Sequence, residues 1–120
     1  MLIRDVEKCP EFLSGDNAIL RELFNAAKED IAPRCSLAHA RVKPGQMTQR
    51  HRLKTSEVYY ILEGEGEMQI GEEAEKVRPG QAIVIPPNSP QRIRNTGKTD
   101  LVFLCMVDPA WRPEDEEILS

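Results

Sequence analysis

The sequence predicts an all-β domain, a sandwich or barrel of short antiparallel strands. Two observations carry that prediction. From Ser36 onward, brief apolar runs alternate with Gly-, Pro- and Asn-rich turn signals. The runs "VYYIL", "AIVI" and "LVF" are rich in β-branched and aromatic residues and too short for long helices.

Taken in order, the first 35 residues are ambiguous. In "SGDNAILRELFNAAKED", Ser14 or Asp16 can serve as an N-cap, and Ile19, Leu20, Leu23, Phe24 and Ala27 recur at helical spacing. The same segment also reads as an opening strand, "AILRELF", followed by a polar loop through Pro33. The strand candidates that follow are "SLAHARV", "VYYIL", "EMQI", "AIVIP", "QRI" and "LVFLCMV". "KPGQ", "EGEG", "GEE", "RPGQ", "PPNSP" and "NTGKTD" separate them. Gly64, Gly80, Pro86 and Asn95 read as backbone devices that turn corners and end strands. The acidic run "EGEGEMQIGEEAE" reads as a solvated hairpin edge whose charges discourage edge-to-edge pairing. At the C-terminus, "DPAWRPEDEEILS" predicts a short helix with acids at its positive end, and Trp111 is expected to pack this tail onto the body.

The chain has 120 residues, which predicts a single domain over 1–120 with a body of about 18–107 and a tail over 108–120. A net charge of −4 argues against a nucleic-acid partner, which selects a basic stripe. No apolar run is long enough to span a bilayer, and "MLIRDVEKCPEF" lacks the apolar core of a signal peptide, so a cytoplasmic protein is expected. Cys9, Cys35 and Cys105 have no close spacing and are expected to be independent reduced thiols.

Two spaced patterns stand out. The first places Gly45, His51, Leu53, Glu57 and Gly64 at successive gaps of five, one, three and six residues. The second places Gly80, Pro86, Asn88, Gln91 and Asn95 at gaps of five, one, two and three. Together they resemble the two motifs of the cupin superfamily, G-x5-H-x-H-x3/4-E-x6-G and G-x5-P-x-G-x2-H-x3-N. The resemblance implies a double-stranded β-helix, the cupin jelly-roll barrel, here with a short C-terminal extension. It favours the strand reading of "AILRELF", and it implies a pocket between two sheets and a homodimer. The family's metal ligands fall on His51, Leu53, Glu57 and Gln91, so one ligand position is lost and another carries a weaker neutral amide.

The remaining set of His51, Glu57 and Gln91 is a three-donor candidate site, with nitrogen and oxygen atoms suited to Zn, Ni, Fe or Mn. Residues 51, 53 and 57 are expected on one face, with Gln91 arriving from the opposing sheet. His39 is a possible extra ligand if the polar face of "SLAHARV" is the pocket face; otherwise Ala38, Ala40 and Val42 face the core. Cys105 is a further conceivable donor, although a buried cysteine more often packs. A four-residue gap before the glutamate pairs Arg50 with Arg52 instead and turns His51 outward. Three is preferred because it keeps histidine, glutamate and glycine spacings together.

Glu57 and Tyr59, which share a face, are the candidate catalytic groups. Arg50, Arg52, Arg92 and Arg94 are expected on the outer surface, and Arg21 is a candidate for binding a carboxylate in the pocket. The first functional reading is a divalent-metal cupin that binds a small polar molecule, such as an organic acid or a sugar derivative. If it is an enzyme, the metal polarises a carbonyl or hydroxyl. The alternative is a metal-free ligand-binding or regulatory cupin without catalytic activity, and a purely structural dimerisation domain is a third reading.

Overall fold

The structure is a computed structural model that describes residues 1–119. Eleven strands form two antiparallel sheets. One sheet has six strands: β1 (Glu11–Leu13), β2 (Ile19–Asn25), β3 (Ser36–Val42), β10 (Leu101–Asp108), β5 (Ser56–Glu63) and β8 (Ala82–Ile85), in that spatial order. The other has five: β11 (Glu116–Ile118), β4 (His51–Leu53), β9 (Gln91–Asn95), β6 (Gly66–Ile70) and β7 (Glu73–Val77). Their inner faces enclose a core in which Phe103, Ile61, Ile85, Ile93 and Leu101 are almost completely buried. Among the described residues, no helix is long and apolar enough to cross a membrane.

The ambiguous N-terminal segment is strand, not helix. The pairing of β2 with β3 shifts register between Glu22 and Phe24. That bulge inserts a residue and breaks the two-residue alternation, which is why Leu23 and Phe24 mimic a helical repeat. Ser14 and Asp16 cap a turn rather than a helix: the Ser14 hydroxyl accepts from the Ala18 N–H and donates to the Asp16 carboxylate.

The expected C-terminal helix shrinks to one 3-10 turn over Pro113–Asp115, after which β11 adds to the second sheet beside β4. Trp111 does tie this tail down. Its backbone N–H donates to Ser36 Oγ (3.0 Å) and its indole N–H to Glu116 Oε2 (2.7 Å). The acidic hairpin is β6–β7, and β7 is a sheet edge with four of its five residues exposed. All three cysteines are free thiols.

Candidate functional site

The two motifs meet on the inner faces of the two sheets. In β4, alternation buries His51 and Leu53, while Arg52 points outward to Glu117 (2.7 Å). The three-residue gap therefore describes the chain, and the arginine-lined alternative does not. His51 pairs in register with Gln91 of β9, so these two side chains share one sheet. Glu57, on β5, arrives from the other. That corrects the expectation that His51 and Glu57 share a face with Gln91 opposite. The short connection from Leu53 to Ser56 carries the chain from one sheet to the other.

Gln91 joins the two sheets through its amide. Its Nε2 donates to Glu57 Oε1 (2.9 Å), and its Oε1 accepts from the Tyr59 hydroxyl (3.1 Å). His51 Nδ1 lies 2.9 Å from the Gln49 carbonyl oxygen and 3.5 Å from Asp16 Oδ2. A carbonyl oxygen only accepts, so Nδ1 carries the proton and Nε2 presents a lone pair in the neutral ring. Among the described residues, His51 Nε2 and Glu57 Oε2 have no protein partner, yet neither is a sealed, unsatisfied atom. Both open onto the space between the sheets.

That space is a cavity of about 230 Å³ whose walls include Leu20, Ala40, Leu53 and Phe103, with Asp16, His51, Glu57 and Glu116 as polar lining. It is smaller than the roughly 300–1,000 Å³ of pockets that take drug-sized ligands, and fits a small metabolite. Burial pushes the Glu57 carboxyl up to about 7, against the pull of the Gln91 hydrogen bond and of His51, and the charges of Asp16 and Glu116 add to the rise. Burial, reinforced by Glu57, also pushes the Tyr59 phenol and the Cys105 thiol up, so both stay protonated at neutral pH.

His39 is not brought to the site. In β3 the residues that line the cavity are Ser36, Ala38 and Ala40, and alternation puts His39 on the opposite face. Arg21 is not there either, because its guanidinium is held by the backbone carbonyls of Val6, Glu7 and Cys9. Cys105 lines the cavity as a neutral thiol. Sequence reasoning missed Asp16 and Glu116. The turn before β2 brings Asp16 to the His51 ring, fixed by a Gln49 N–H to Asp16 carbonyl bond of 2.8 Å, and β11 brings Glu116 beside β4.

The donor set does not fit a metal. Leu53 fills the second histidine position with a buried apolar side chain. The amide oxygen of Gln91 is a weak neutral ligand already oriented by the hydrogen bond it accepts from Tyr59, and its nitrogen is a donor with no lone pair to offer. Asp16 sits at the Nδ1 side of His51, across the ring from Nε2. Among the motif positions, two ligand atoms have no protein partner within the described residues, one imidazole nitrogen and one carboxylate oxygen, whereas even catalytic zinc takes three protein ligands. No group of three or more His, Cys, Asp or Glu side chains placed to hold a metal occurs among the described residues.

Comparison with known proteins settles the family. The model of the cupin domain matches residues 38–107, the stretch that carries both motifs. The chain belongs to the cupin family. Among its cupin-like relatives is the uncharacterized protein MJ1618 of Methanocaldococcus jannaschii, 40% identical over 122 residues and covering 97% of this chain and 93% of the relative. The oxalate-binding protein of Thermotoga maritima is 29% identical over 112 residues, covering 89% and 93%. The solved structure of Streptomyces Pac13, a nucleoside dehydratase, superposes with a TM-score of 0.80 at 20% identity, covering 99% of this chain and 91% of that one. At that identity the likeness concerns the fold.

Proposed function

We propose that this cupin binds a metabolite-sized molecule in the barrel cavity through its own side chains, without a metal, and that His51 and Glu57 are the groups that meet it. The observation that carries this reading is the use of Gln91. Its amide bridges Tyr59 and Glu57, accepting from one and donating to the other, so the position that resembles a metal ligand acts as a strut that orients an acid. The bridge leaves Glu57 Oε2 facing the cavity, on a carboxyl that titrates near 7 and can give or take a proton under neutral conditions. His51 Nε2, its tautomer fixed by the Gln49 carbonyl, accepts a hydrogen bond or a proton beside it. The site is therefore equipped for binding and for proton transfer on a bound molecule.

A homodimer belongs to the same proposal. Its support is the outer face of the six-stranded sheet, where Tyr60, Leu62, Val84 and Met106 stand exposed. Analytical ultracentrifugation that finds only monomer removes it. The metal-independent reading is tested by titrating Zn, Ni, Mn and Fe(II) into chelator-treated protein: absence of site-specific binding supports it, and tight binding that disappears in His51→Ala refutes it.

A further inference from the structure

With Glu57 ionised, the open polar atoms nearest His51 in this cavity are chiefly acceptors. His51 is 3% exposed, and its Nε2 lone pair opens onto the cavity with no protein partner among the described residues. Glu57 Oε2 is open in the same way. Glu116 Oε2 accepts from Trp111, while Oε1 makes no hydrogen bond among the described residues and lies toward Gly15 at the cavity wall. The Tyr59 hydroxyl, which is able to donate, is committed to Gln91.

Charge points the same way. Asp16, Glu22, Glu57 and Glu116 all line the cavity, against Lys28 and His51. Lys28 is matched to Glu22 at 3.0 Å. Among the described residues, the Asp16 carboxylate meets the Ser14 hydroxyl and the Nδ1 edge of His51. Among the described residues, Asp16, Glu57 and Glu116 have no lysine or arginine partner, in a site walled by Leu20, Leu53 and Phe103, where low polarity strengthens an unbalanced field. A ligand that donates hydrogen bonds and carries positive charge satisfies both conditions; an anion satisfies neither.

Resting on the metal-independent reading above, we infer that the cavity takes a small organic cation, an amine whose ammonium is met by His51 Nε2, Glu57 and Glu116 and whose apolar body lies against Leu53 and Phe103. This class is the reverse of an anionic substrate such as an organic diacid. The three acceptor atoms of His51, ionised Glu57 and Glu116 then gain a donor, and the acidic end gains its counter-charge.

Three probes of matched shape test this by calorimetry on chelator-treated protein: benzylamine, benzyl alcohol and benzoate. The expected result is benzylamine bound about tenfold or more tightly than benzyl alcohol, with benzoate weakest, as the sign of the local field requires. Asp16→Asn and Glu116→Gln keep the shape of the wall and are each expected to narrow the amine–alcohol gap. Binding of benzyl alcohol or benzoate as tight as benzylamine overturns the cation assignment and leaves the metal-independent site standing. Failure of all three probes to bind also overturns it. Binding of any probe only after a divalent metal is added overturns the reading beneath it.

Discussion

Glu57 has an acidity that its position in the chain does not announce. Folding moves its carboxyl from 4.5 to about 7, chiefly by burial. The folded state therefore holds this proton more tightly than the unfolded chain does. The resulting stability is fully present below about 4.5 and is lost as pH rises through about 7. The change corresponds to roughly 3 kcal/mol at about 1.4 kcal/mol per pH unit. Glu11, Glu29 and Asp115 are instead held below their ordinary values by Arg41, Arg4 and Arg112, so their titrations lie under pH 4.5 and do not obscure the window. Chemical denaturation of the wild type is expected to show falling stability from pH 5 to pH 8. Glu57→Gln is expected to be nearly flat over that range, because the amide cannot ionise and keeps the same shape. An identical slope in both proteins contradicts the assignment of the buried proton to Glu57.

At the scale of elements, the motif glycines differ in what they do. Gly45 and Gly64 both have positive φ, +75° and +87°. A Cβ at Gly45 meets nothing within 4 Å, whereas at Gly64 it falls 2.6 Å from the Asp100 carbonyl oxygen and 3.0 Å from Leu101 Cα. Gly45→Ala is therefore expected to cost about 1–2 kcal/mol, the left-handed penalty alone. Gly64→Ala is expected to cost more, because backbone must move, and thermal denaturation of the two variants gives that ordering directly.

These turns, the strand runs from Ser36 onward and the inward pairing of His51 with Leu53 were legible in the sequence, because period-two alternation and turn chemistry are local properties. The bulge at Leu23 was not, since nothing local distinguishes it from helical spacing. Nor was β11 legible: "PEDEEI" has the composition of a helix start, and it becomes strand only because β4 offers an unpaired edge. Asp16 and Glu116 reach the site through sheet topology alone, and no spacing near His51 foretells them.

Considered whole, the molecule has the cupin fold, with Leu53 and Gln91 at two positions where the family's motifs carry histidine. A donor set becomes a hydrogen-bonded strut from Tyr59 through Gln91 to Glu57, and the cavity above it is acidic. The proposal made above is that this site works without a metal. The most direct measurement is metal content, followed by calorimetric titration of Zn, Ni, Mn and Fe(II), on protein purified without a histidine tag or chelator. Leu53→His/Gln91→His serves as the positive control that returns the missing donors. Far less than one metal per chain is expected in the wild type, with no saturable binding on titration and with binding gained in the double variant. Near-stoichiometric metal in the wild type that is lost in His51→Ala would contradict it.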